Sequence, residues 1–151
     1  GVEKAQLAEQ VGADVVIDHQ QTPDWVDAVR AASGGGVDVA YDPVGGETFH
    51  QVRRCMGWDG RLLVIGFVAG IPEVATNHAL LKSYSIVGVH WGASLAKVPD
   101  SLRRQMTTLL DMASTGAVDP PLYPPYRFED AAVALQDLAD RKTYGKVVVR
   151  R

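Results

Sequence analysis

Four stretches of this chain end an apolar run with residues able to bond a ligand: Asp18-His19, Asp42 to Gly46, Gly66 to Gly70, and Val89 to Trp91. In doubly wound sheets, small molecules bind beyond the carboxyl ends of the strands, so chemistry is expected at these ends. Gly45-Gly46, standing before a helix, can bring backbone amides close to a phosphate. The plainer reading of the same pair is a tight strand-to-helix turn capped by Asp42. His19 and His90 each follow a strand, where a neutral imidazole can hydrogen-bond a ribose or a phosphate. Each also reads simply as a half-exposed polar residue closing a strand. His50 and His78 fall in or near helical stretches and are expected to face solvent. No histidine pair, nor histidine with an acid, has metal-ligand spacing on one helix, and no metal site is expected. There is no Gly-x-Ser-x-Gly and no Cys–His constellation, so no catalytic residue is named. Cys55, the only cysteine, lies beside Met56 near a helix end and reads as packing.

The elements that must position these residues alternate. Val37 to Asp42 and Gly60 to Phe67 are apolar runs ending in Gly or Pro, and Glu47 to Met56 between them sets Phe49, Val52 and Met56 on one helical face. Strand, crossover helix and strand follow. Strands apolar almost throughout are expected to be covered on both faces, as in the parallel sheet of an α/β domain. Before this unit, Glu3 to Val11 reads as a helix with Leu7, Ala8 and Val11 inward and Gly12 as its left-handed terminator. Val15 to Asp18 reads as a buried strand. Thr22 caps and Pro23 opens a second helix with Trp25, Val26 and Val29 inward.

After it, a helical turn is expected over Asn77 to Lys82, and a strand over Ser85 to Trp91. Gly92 to Val98 reads as a connection. Pro99 opens a helix whose stripe is Leu102, Met106, Leu109, Leu110 and Ala113, ended by Gly116. The four prolines between Asp119 and Tyr126 exclude a central strand there. A helix over Glu129 to Asp140, with Ala132, Leu135 and Leu138 inward, and a strand over Gly145 to Val149 close the chain. The texture changes near Gly116.

With 151 residues, 46% of them hydrophobic, the chain can build a real core. A net charge of −3 with mixed signs and no basic block points to neither nucleic acid nor a membrane surface. No secretory leader is recognisable at Gly1, and the single cysteine fits a cytoplasmic setting. The Gly-x-Gly-x-x-Gly turn expected after the first strand of a dinucleotide-binding domain is absent. Gly34-Gly35-Gly36 precedes a strand, so it does not substitute.

The order and spacing of several short motifs resemble a family. Glu3-Lys4-Ala5, Gly12-Ala13-Asp14, Gly36-Val37-Asp38-Val39, Asp42-Pro43-Val44-Gly45-Gly46 and Gly60-Arg61-Leu62 begin the match. Val64-Ile65-Gly66-Phe67, Gly88-Val89-His90-Trp91-Gly92 and Gly145-Lys146-Val147-Val148-Val149 complete it. The whole chain is similar to the zinc-independent quinone oxidoreductases of the medium-chain dehydrogenase/reductase superfamily. The resemblance implies a Rossmann domain, NADP(H) as cofactor, and hydride transfer to a small quinone or enone acceptor. It implies that Lys4 pairs with the 2′-phosphate, with His19 close by where the family often has a tyrosine. It further implies that Ile65, Gly66 and Phe67 run beside the nicotinamide, that Val89, His90 and Trp91 lie near the same ring, and that Arg141 and Lys146 return to the cleft. Pro43 stands where a serine is common, which removes one hydroxyl contact.

The resemblance covers the family's second half. The fold expected is therefore α/β: a partial Rossmann-like parallel sheet with flanking helices, lacking its first two strands, plus a C-terminal strand–helix–strand tail. Residues 1–116 would be a partial NADP-binding domain, and 117–151 would belong to the catalytic domain. In the order 3-2-1-4-5-6 the strands present would be 3, 4, 5 and 6, leaving a gap between the first and second of them. Either Asp14 to Asp18 pairs directly with Val37 to Asp42, or copies exchange segments in a homo-oligomer, or the rest of the polypeptide fills the gap. The chain alone is expected to be inactive. An enoyl reductase or zinc-binding dehydrogenase of the same superfamily, and a non-catalytic α/β association module, are the alternatives.

Overall fold

The computed structural model describes every residue except Pro99. The chain divides into two compact units, Gly1–Lys97 and Val98–Arg151.

The first unit is built on a three-stranded, wholly parallel sheet in the order β1 (Val37–Asp42), β2 (Met56–Val64), β3 (Ser85–Gly88). Helix α3 (Gly46–Cys55) is the crossover from β1 to β2, and α4 (Asn77–Lys82) lies in the crossover from β2 to β3. One face of the sheet carries the core: Phe49, Met56, Leu62 and Tyr84, with Val37, Ala40, Val52, Val64 and Ala79 packed around them. Leu62 is wholly buried at the centre of β2. Helices α1 (Val2–Gln10) and α2 (Trp25–Ala32) precede β1. Trp25 and Val29 are half-buried and Val26 buried, the face read from the sequence. The indole of Trp25 donates to Gln51 Oε1 at 2.9 Å and ties α2 to α3.

Several expectations are corrected. Asp14 to Asp18 runs without strand pairing, and Val15 is exposed. A strand requires a hydrogen-bonding neighbour, and the only strand partner of β1 among the described residues is β2. The contracted pairing with Val37 to Asp42 therefore does not form. Nor is the sheet covered on both faces, since Val39 and Tyr41, which point away from the core, are 52% and 68% exposed. Helix α2 starts at Trp25 with Asp24 at its N-cap, its carbonyl accepting from Asp27 and Ala28, so Thr22 and Pro23 lie in the preceding turn. In α1, Leu7 and Ala8 are half-buried but Val11 is exposed. Gly12, at φ +102°, does terminate that helix. Strand β2 begins at Met56, four residues before the expected Gly60. Its register against β1 jumps from Val37↔Met56 to Val39↔Arg61, which extrudes Trp58. Such a bulge loosens pairing without changing strand direction.

The second unit holds α6 (Ser101–Ser114) and a two-stranded parallel ribbon of β4 (Tyr126–Arg127) and β5 (Val149–Arg150), extended by a bridge between Leu122 and Lys146. A 3-10 turn, Phe128–Asp130, leads into α7 (Ala131–Ala139). The expected strand–helix–strand order is present. The faces are not as expected: Ala134 is the buried residue of α7, while Ala132, Leu135 and Leu138 are exposed. Leu102, Met106, Leu109 and Leu110 on α6 are exposed too. Those stripes have the periodicity of a buried face, and no described element covers them. The expected opening of α6 by Pro99 lies outside the described residues. No helix among those residues is long and apolar enough to cross a membrane.

Candidate functional site at the strand ends

Because β1, β2 and β3 are parallel, their carboxyl ends open on one edge of the sheet. Ile65-Gly66-Phe67 leaves β2 there, and Val89-His90-Trp91 leaves β3 beside it. The Val89 amide donates to the Val64 carbonyl at 3.0 Å, so the two exits stay joined one residue beyond the paired strands. The Ile65 amide donates to the Asp42 carbonyl at 2.9 Å and ties in the end of β1. Phe67, Val89 and Trp91 are exposed along this edge. Gly66 presses on Pro43: a Cβ built on it would meet the Pro43 carbonyl oxygen at 3.0 Å.

Asp42 is buried at the mouth of the β1 turn. Its Oδ1 accepts from the amides of Val44 at 2.8 Å and Gly45 at 3.1 Å. The Gly46 amide donates to the Gly70 carbonyl at 2.8 Å, and the Ala69 amide to the Val44 carbonyl at 2.9 Å. The turn and the loop after β2 therefore lace together. This settles the two readings of Gly45-Gly46 for the turn itself: both amides are spent on protein acceptors, so they do not cradle a phosphate. The other oxygen of Asp42, Oδ2, is buried without a hydrogen-bond partner among the described residues.

The sequence-predicted residues divide into three groups. Ile65, Gly66, Phe67, Val89, His90 and Trp91 are brought together at the strand ends. Lys4 lies on α1, and His19 in the turn after Asp18; both are exposed. Arg141 and Lys146 belong to the second unit. Arg141 adopts a left-handed φ of +59° just after α7. The Lys146 amide donates to the Pro121 carbonyl at 2.9 Å, so its backbone is fixed in the ribbon. One correction falls inside the first group. β3 ends at Gly88, and Trp91 opens a helix, α5 (Trp91–Lys97), in place of the expected connection. The His90 carbonyl accepts from the Ser94 amide at 3.2 Å, which sets His90 at the helix entrance. The Ala93 to Lys97 run favours helix and carried that signal.

Histidines 50 and 78 are half-buried, not solvent-facing. His78 Nδ1 lies 3.3 Å from the Tyr84 hydroxyl. Desolvation holds its pKa below the usual histidine value, helped by the positive charges of Arg53 and Lys82. Lys82 donates to the carbonyls of Arg54 at 2.9 Å and Met56 at 3.2 Å, capping α3 from a neighbouring helix. Burial, then Arg30, lowers its pKa. Cys55 is buried and burial pushes its thiol pKa up, the behaviour of a packing cysteine rather than a nucleophile. Among the described residues no three His, Cys, Asp or Glu side chains are gathered as a metal would need.

The model of a family described as zinc-binding dehydrogenase matches residues 11–149. Quinone oxidoreductase-like protein 2 of Mus musculus is 34% identical over 149 residues, covering 97% of this chain and 42% of that protein. A probable oxidoreductase from Mycobacterium abscessus superposes with a TM-score of 0.80 at 33% identity, covering 99% of this chain and 44% of that one. A mycobacterial protein solved in complex with NADPH superposes with a TM-score of 0.84 at 28% identity, covering 100% of this chain and 47% of that one. The chain thus spans less than half the length of each of these relatives. The family's description names zinc, but the described residues do not gather a donor set that fits it. Matched along nearly all of its length, the chain belongs to the zinc-binding dehydrogenase family and, within the medium-chain superfamily, is quinone oxidoreductase-like.

Proposed function

We propose that this chain supplies the nicotinamide-facing half of an NADPH-dependent quinone oxidoreductase. The observation that carries the reading is the pair of adjacent exits, Ile65-Gly66-Phe67 and Val89-His90-Trp91, held together on one sheet edge. NADPH supplies a hydride when bound, and the acceptor would be a quinone or an enone. The protein's part is positioning: fixed strand ends set the cofactor ring and leave one face open to the acceptor. Gly66, having no side chain, packs against Pro43 and so fixes the end of β2 that would run beside the ring. His90 offers an imidazole to a ribose or phosphate. Lys4 would meet the 2′-phosphate, a charge-assisted contact, with His19 beside it. The family resemblance offers Arg141 and Lys146 as further basic contacts to the cofactor. Residues 1–116 would serve the cofactor and 117–151 the acceptor domain.

The amides of Gly45 and Gly46 are already bonded, and no Gly-x-Gly-x-x-Gly turn is present to hold a pyrophosphate. By that argument the 151-residue chain is a fragment in functional terms and inactive alone. As part of the same proposal, it works in a cytoplasmic setting as a homo-oligomer or beside further protein. The test is NADPH consumption with a quinone acceptor. The chain alone is expected to give no rate above the uncatalysed reaction, and saturating turnover by it would overturn the claim of inactivity.

A further inference from the structure

A groove of about 490 Å³ runs along α3, away from the strand-end residues, and is lined by His50, Arg53, Glu73, Val74 and Ala75. His50 and Arg53 are three apart on α3 and share one side of the helix. Nε and Nη1 of Arg53 and Nδ1 of His50 are buried without a hydrogen-bond partner among the described residues. Buried polar groups are normally paired, and a guanidinium cannot relieve the cost by losing its proton. Glu73, the one carboxylate of the lining, is exposed and makes no ion pair with Arg53 among the described residues. The neighbourhood is positive: Arg53 and Lys82 both act to lower the pKa of His78 nearby. What the cluster calls for is an acceptor that carries negative charge and fits planar donors, which an oxyanion provides.

We propose that this groove is a subsite for the oxyanion of a small solute, a phosphate or a carboxylate, held by Arg53 and His50 with Val74 and Ala75 along its apolar part. Glu73 at the rim sets the affinity by repelling the incoming charge. The proposal is independent of the nicotinamide reading, because none of Ile65 to Phe67 or Val89 to Trp91 lines the groove.

The test is to titrate the chain with inorganic phosphate, and separately with acetate, against sodium chloride at equal ionic strength, following the Arg53 Nε–H and His50 ring signals by NMR. At least one of the two anions is expected to shift both signals saturably, and whichever does so identifies the oxyanion class. Arg53→Gln should abolish the response, and Glu73→Gln should tighten it by about five-fold through removal of one like charge. If Arg53→Gln folds poorly, His50→Gln gives the second variant, and it should weaken binding. Absence of saturation with both anions would overturn the proposal. So would saturation of the His50 signal that survives Arg53→Gln. So would an Arg53 signal moved by Glu73→Gln alone with no response to either anion, which would make Glu73 the occupant.

Discussion

Gly45 adopts φ +73° and ψ −152°, a region open in practice only to glycine. A Cβ there would lie 2.6 Å from the Gly70 carbonyl oxygen and 2.8 Å from the Cα of Phe67. Gly45→Ala should therefore cost about 2–4 kcal/mol from backbone strain plus the clash. Urea unfolding measures it, and a variant as stable as the wild type would show that the loop after β2 does not hold the turn. Tyr126 makes a second single-residue claim. Its hydroxyl donates to Asp137 Oδ2 at 2.9 Å, and Asp137 also receives Lys142 at 3.1 Å. Desolvation first, then the bond and charge of Asp137, push the phenol up to about 12. Since the folded value lies above the ordinary 10.0, the contribution is full below about pH 10 and is lost as pH rises toward 12. Stability should fall across that window in the wild type, and Tyr126→Phe should remove that part of the fall. Denaturation curves at several alkaline pH values test it; an unchanged slope in the variant would contradict the network.

At the scale of elements, the sequence was most legible where local signals suffice. The β1–α3–β2 unit could be read because its apolar runs, glycine stops and three-four spacing are all local, and Phe49, Val52 and Met56 do pack together. The turn over Asn77 to Lys82 has the bounds expected of it. Asp14 to Asp18 has the composition of a strand, but a strand depends on a neighbour the sequence does not announce. Ser85 to Trp91 carries the pattern of a strand, while the helix formers just after Trp91 end that strand at Gly88. Strand ends, by contrast, follow from topology, so the residues grouped at the edge of β2 and β3 were legible and Arg53 was not. Arg53 looks like an ordinary surface cation until α3 is packed. The misread faces of α6 and α7 carry a consequence of their own. Leu102, Met106, Leu109 and Leu110 form an exposed apolar strip on α6, and such strips mark surfaces used in association. Light scattering on the chain should report a dimer or larger, with Leu109→Gln shifting it toward monomer. A monomer in the wild type would count against association through this face.

For the molecule as a whole, the reading rests on one parallel sheet edge. A family match along nearly the whole chain and close superposition on an NADPH-bound relative support it. Titrating the chain with NADPH, while following the fluorescence of the reduced nicotinamide, tests the claim most directly. Saturable enhancement that weakens when His90 is changed to Ala is the predicted result. A strictly linear, unsaturated signal, identical in the wild type and the His90→Ala variant, would contradict the assignment of the strand ends to the nicotinamide.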